Sequence, residues 1–423
     1  MRDSPQYLDF ELPKLYKYTG LFVIIGLAML HWSQAMYFLG GQPARLGSLA
    51  VGFGLIVGAA LLRARGQIVK YLPFVFITGS YFILLAMLTK IQEHVIWYDN
   101  LQQTFTLVCL FLFWSGYILA REKRHDFVSA NQWSLIGVSL LALLCLMRFL
   151  QFVKLISFEG SARGYGDVSL NAVGVAFANS CLGLIFLVLG ILNKNPLRKT
   201  LFLLVACAAF FVVLSSASRG AILWSSGAII FFFILNRHRN YLNVRSILVA
   251  ALSMVLLLPV LAVLYQTNYA IAERVDILID RFLQILDLFN KYGSDDASVT
   301  QRQYYWTSYL STIDQWIIFG EEGQDGYPHN QWLEIFVKFG LLGLPMFIMS
   351  IILLFKISWS ALREKLHPDI EFSMITTLFM FGYLSSMTSL SLQVNRVLWL
   401  GFGYLLGYYM GRSKRQKRAQ PVY

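Results

Sequence analysis

Charge is what this sequence has least of. Asp, Glu, Lys and Arg make up 14% of its 423 residues, against about a quarter in soluble domains, while 57% are hydrophobic. Cysteine is scarce as well. Cys109, Cys145, Cys181 and Cys207 all lie in apolar runs without Cys-x-x-Cys spacing, so neither a disulfide framework nor a zinc site is expected, and no cofactor is implied. The chain also lacks a Walker phosphate loop, a Ser-His-Asp order and paired carboxylates inside its apolar runs. The opening MRDSPQYLDFELPKLYKY is polar and partly acidic, unlike a cleavable signal peptide, so the first apolar run is expected to be retained.

What the chain has instead is apolar runs of about 18 residues or more along its whole length, with a mean hydropathy of +0.58. They predict an all-α polytopic membrane protein, residues 1–423 forming a single integral membrane domain. Twelve transmembrane helices are expected, near 19–39, 44–62, 71–89, 103–120, 133–155, 168–192, 200–216, 219–235, 246–266, 332–355, 371–390 and 394–411. The net charge of +12 belongs to this topology rather than to nucleic acid, because the basic residues sit in short connections between spans. Groups such as Arg63, Arg65 and Lys70, or Arg237, Arg239 and Arg245, mark every second connection, and both termini carry the same bias. The termini are therefore expected to be cytoplasmic, and the long segment 267–331 extracytoplasmic.

That segment reads as two amphipathic helices. In the first, Ile271, Val275, Leu278, Phe282 and Ile285 recur at helical spacing, with Glu273, Asp276 and Asp280 between them. The second starts near Ser298 or Thr300 and sets Trp306, Tyr309, Ile313 and Trp316 on one face, with Arg302 a turn before Trp306. Such helices suit a lid over a lipid-facing site, and equally a loop that only caps the bundle.

Few polar residues remain at the outward ends of the spans. Arg219 lies at the bend between spans seven and eight, in SSASRGAILW, where a charge is either functional or snorkels to the surface. Arg163 and Asn171 belong to EGSARGYGDVSLNAVG, whose glycines permit either a ligand approach or a plain turn. Arg396, at the start of span twelve, reads as an interface anchor. His329 follows a proline and precedes a helix for which Asn330 is the expected cap. The helix dipole there favours a neutral imidazole able to accept a proton, although a single loop histidine is commonly plain solvent-exposed surface. Glu334, one turn on, would orient that ring or bond the helix start. Outward arginines suit a diphosphate, since their planar forks match its oxygens.

In SRGAILWSSGAIIFFFIL ending at Leu235, RQYYW starting at Arg302, and HNQWLEIFVKFGLLGLPMF over 329–347, the chain resembles the O-antigen ligase and polymerase superfamily of bacterial membrane glycan transferases. Arg219-Gly220, Arg302 to Trp306, Gly320/Gly323, His329-Asn330, Gly340 and Gly343 follow in the family's order, and Asn171 matches an earlier polar start. Gly320-Glu-Glu-Gly323 is more acidic than the family's usual turn. The resemblance implies a GT-C-like, metal-independent, inverting glycosyltransferase of the bacterial inner membrane with a periplasmic site. Its donor would be an undecaprenyl-diphosphate-linked glycan, and its acceptor lipid A-core or another glycan. Arg219 and Arg302 would hold the diphosphate, His329 would take the acceptor's proton, and Arg163, Asn171, Trp306, Asn330 and Glu334 would support them. The ligase is the lead expectation. A repeat-unit polymerase of the same superfamily is the alternative, and a flippase or exporter is disfavoured by spans too apolar for a polar path.

Overall fold

Segments this apolar have to satisfy their backbone internally once out of water, and helices do that within one segment. A computed structural model describes residues 18–32, 37–64, 67–92, 96–122, 132–152, 164–165, 168–216, 218–238, 266, 272, 276, 279, 297–320, 330–363, 368–388 and 395–419. Their helices are α1 (Thr19–Trp32), α2 (Tyr37–Ala64), α3 (Leu72–Gln92), α4 (Ile96–Arg121), α5 (Gln132–Phe152), α6 (Ala172–Leu192), α7 (Pro196–Ser215) and α8 (Arg219–Asn236). After these come α9 (Ala297–Ser311), α10 (Ile313–Trp316), α11 (Gln331–Phe339), α12 (Leu344–Arg363), α13 (Ile370–Ser386) and α14 (Arg396–Ala419). Among the described residues, six helices are long and apolar enough to cross a membrane. The span expected at 246–266 lies, apart from Gln266, outside the described residues.

Several expected boundaries move: the first helix ends at Trp32 rather than near 39, the second already begins at Tyr37, and α4 begins at Ile96. Two further changes have a local reason. Span six begins at Ala172, because Val168–Asn171 (β2) pairs antiparallel with Gly164–Tyr165 (β1), Asn171 opposite Gly164. The helix expected over 332–355 is interrupted by a 3₁₀ turn at Gly340–Gly343, where Gly340 takes φ 54°. A side chain at that φ is strained, so glycine is needed to end α11 there.

The interior is built around α6 and α13. Residues 175–192 of α6 are buried, and it packs against α1, α7, α8 and α13. Outer helices carry their apolar side chains outward: Phe76 of α3 is 76% exposed and Ile77 69%. On a soluble protein such a face would be an anomaly; on a multi-pass membrane protein it meets lipid.

With lipid as greasy as the helices, close approach has to come from small residues. The tightest contact joins α14 to α4. A Cβ on Gly403 would sit 1.8 Å from the Phe113 carbonyl oxygen, one on Gly116 2.2 Å from that of Leu400, and one on Gly407 2.5 Å from that of Tyr117. Gly403, Gly407 and Gly411 stand four apart, the small-xxx-small pattern of membrane helix pairs. Valine at Gly403 would have to push two backbones apart. It is expected to destabilise the chain by about 3 kcal/mol, seen as a lowered thermal unfolding midpoint of the detergent-purified protein. Alanine at Gly411, whose Cβ would meet only Arg121 at 3.7 Å, is expected to leave that midpoint unmoved.

Candidate functional site

One end of the bundle collects the polar side chains that the helix interiors lack. There α1 ends at His31 and Trp32, α13 ends at Ser386, and α6, α8, α11 and α14 begin. Two hydrogen bonds fasten the starts of α8 and α11 to the end of α13. Trp224 Nε1 donates to Thr388 Oγ1 at 2.8 Å, and the Ser386 hydroxyl donates to Gln331 Oε1. Those two anchors, the last residue of α13 and the turn just past it, are two residues apart, so the helix opened by Arg219 and the helix that follows His329 start at one place.

Arg219 is the first residue of α8, half-buried, after an N-cap at Ser218. Its neighbour Gly220 is small for a reason: a Cβ there would come within 2.7 Å of the Trp224 ring, which needs that space to reach Thr388. The arginine-glycine pair thus places a charge at the helix mouth while clearing room for the tryptophan that fixes the helix.

Asn330 caps α11 as its residue type predicts, its side chain accepting from the backbone N–H of Trp332 and Leu333 at 3.0 and 3.2 Å. Glu334 is fully buried and accepts from Lys338 Nζ at 2.9 Å, one turn farther from the helix start. Its observed ion pair therefore runs along α11, away from the His329 side. His329 itself and Arg163 lie outside the described residues. Asn171 is placed at the end of β2, directly ahead of α6.

Arg302 is half-buried on α9, whose inward side differs from the expected one. Tyr309 and Trp316 are buried, with Tyr305 packed against them, whereas Trp306 is 40% exposed and Ile313 44%. Inward residues at 305 and 309 are a helical repeat; Trp306 and Ile313 turn to the other side, where a membrane surface would receive them. Tyr305, one turn from Arg302, shares this small core with Leu333, one turn into α11, and with Phe336 and Val337.

The same docking explains two glycines of the motif. Gly320 takes φ 89°, and a Cβ on it would lie 2.5 Å from the Lys338 carbonyl oxygen. A Cβ on Gly340 would lie 2.3 Å from the Ile318 carbonyl oxygen, which accepts the Leu341 N–H at 3.1 Å. The glycine turn and the first glycine of Gly-x-x-Gly therefore touch backbone to backbone, seating the loop helices on α11.

Three residues at this end carried little sequence signal. Arg396 is 8% exposed, not an interface anchor, and donates to the Leu30 carbonyl at 3.3 Å, next to His31. Gln331 and Tyr383 are buried in otherwise ordinary helical runs. Only the position of Gln331, straight after His329-Asn330, hinted at a role for it.

Residues 200–348 match the model of the family described as O-Antigen ligase. The match takes in Arg219, Arg302 and His329, and supports the O-antigen ligase superfamily read from the motifs. No curated protein and no solved structure matches the chain.

Proposed function

We propose that the chain is an O-antigen ligase-type glycosyltransferase, moving a glycan from undecaprenyl diphosphate to a lipid A-core acceptor at the periplasmic face of the bacterial inner membrane. In this reading it has twelve spans, both termini are cytoplasmic, and 267–331 is the periplasmic loop. The observation that carries it is the shared anchorage of α8 and α11 on α13. It brings the helix start that bears Arg219 to the helix start preceded by His329, within a stretch that matches the ligase family.

The chemistry follows from charge. A departing lipid diphosphate gains negative charge as the sugar–phosphate bond breaks, and fixed cations stabilise it most where water is sparse. Arg219 and Arg302 supply that charge in planar form, bonding two oxygens at once. His329, left neutral by the positive end of α11, accepts the proton of the acceptor hydroxyl as its oxygen attacks the anomeric carbon from the opposite face. The configuration inverts, and the residues named require neither metal nor cofactor for that step.

Deleting the gene in its native host tests the reading. Surface glycans run on a gel are expected to lose all capped lipopolysaccharide, with capping restored by the wild-type chain and not by a His329→Ala variant. Caps of a single repeat unit in the deletion strain would instead assign repeat-unit polymerisation, and an unchanged ladder would overturn both.

A further inference from the structure

Buried polar groups nearly always find partners, so those that do not point to something that binds there. At the junction of α11 and α13, Gln331 is fully buried, and its Nε2 has no hydrogen-bond partner among the described residues. Its other amide atom, Oε1, is held by the Ser386 hydroxyl, so the carboxamide is oriented and its NH₂ is the end left over. Nearby on α13, Tyr383 is 4% exposed; its oxygen lies beside Trp332 of α11, and its own proton has no acceptor among the described residues. Of the buried charged groups at this end, Glu334 pairs with Lys338 and Arg396 donates to the Leu30 carbonyl, while the other described buried groups beside Tyr383 are neutral. Asn395 Nδ2 donates to the Gly382 carbonyl at 2.6 Å and to Ser385 Oγ at 3.3 Å.

Resting on the reading above, we propose that Gln331 and Tyr383 form a subsite for a sugar ring of the acceptor, bonding hydroxyls next to the one that attacks. A sugar hydroxyl both donates and accepts, which suits a free NH₂ and a free phenol at one junction. A diphosphate would want the cations, and those stand at Arg219 and Arg302. The acceptor rather than the donor is assigned because Gln331 lies two residues from His329, the group that takes the acceptor's proton. An amide in the first turn of α11 is therefore on the nucleophile's side of the reaction. A site built to hydrogen-bond a sugar also selects against acceptors lacking that hydroxyl, because the buried NH₂ would then stay unpaired.

Two variants isolate the free ends. Gln331→Met removes the NH₂ at nearly constant volume and adds no charge, the Ser386 hydroxyl keeping its bond to the Tyr383 carbonyl at 2.8 Å, and Tyr383→Phe removes one hydroxyl. The full-length chain is assayed in detergent with an undecaprenyl-diphosphate-linked glycan and lipid A-core. Each variant is expected to raise the acceptor KM roughly 5- to 10-fold, the loss of about one hydrogen bond, with donor KM and unfolding midpoint unchanged. Acceptor KM within twofold of wild type in both variants overturns the subsite. So does a rise in donor KM alone, or a fall in kcat that tracks a lowered unfolding midpoint. A wild-type chain that transfers no glycan at all overturns the ligase reading itself, which separates the two failures.

Discussion

Replacing His329 by alanine is expected to slow glycan transfer by about 10²- to 10⁴-fold, the span usual for loss of a general base. Arg219→Ala and Arg302→Ala are each expected to cost about 10²- to 10³-fold in kcat, the loss typical of one donor to a developing anion. The two kinds of loss should differ in form. Without His329 the deficit should shrink as pH rises, because solvent hydroxide then substitutes for the missing base. Without an arginine it should persist across pH. Lysine at Arg219 or Arg302 keeps the charge but not the two-pronged contact, so it is expected to restore only part of the rate. The Arg219→Ala/Arg302→Ala double variant should lose less than the product of the single losses, since groups acting on one diphosphate are not additive. Initial rates from purified protein and a lipid-linked donor decide it. Full transfer in either the His329→Ala or the Arg302→Ala variant would remove that residue from the site.

Most helix positions and the family resemblance were legible because both rest on local pattern. Apolar runs mark the helices, and ordered short motifs mark the family: Asn330 caps α11, and Gly220, Gly320 and Gly340 each fill a place where a side chain would collide. What was not legible is where distant segments meet. That Trp224 would reach Thr388, or the Ser386 hydroxyl Gln331, depends on pairings 164 and 55 residues apart with no periodicity to announce them. The face of α9 was misjudged for a related reason. Aromatic residues alone do not tell a helix which side meets protein and which meets lipid, and Trp306 suits either. Arg63 shows the same limit at the basic end of the bundle. In the sequence it is one of three cations marking a connection; in the structure it is 7% exposed inside the last turn of α2.

That burial underlies the largest expected effect on stability. Arg63 Nη1 and Nη2 donate to the two carboxylate oxygens of Glu371 at 2.8 and 2.5 Å. Arg63 Nη1 also donates to the Leu119 carbonyl at 3.1 Å and Nε to Thr19 Oγ1 at 3.2 Å, and the Tyr404 hydroxyl donates to Glu371 at 3.1 Å. Five helices, α1, α2, α4, α13 and α14, are joined through one ion pair whose members are 308 residues apart. Glu371→Ala leaves the guanidinium buried without its counter-charge, and a destabilisation of about 3–5 kcal/mol is expected. Glu371→Gln should fare little better despite its shape. Either amide orientation turns an NH₂ toward a donor, Arg63 Nη2 in one case, Arg63 Nη1 and Tyr404 in the other. Removing both charges together, as Arg63→Met with Glu371→Leu, should recover much of the loss, because a buried pair costs desolvation that apolar packing avoids. Thermal unfolding of the four detergent-purified proteins measures this directly. A double variant no more stable than Glu371→Ala would mean that the hydrogen bonds to Thr19, Leu119 and Tyr404, rather than the charge balance, hold these five helices together.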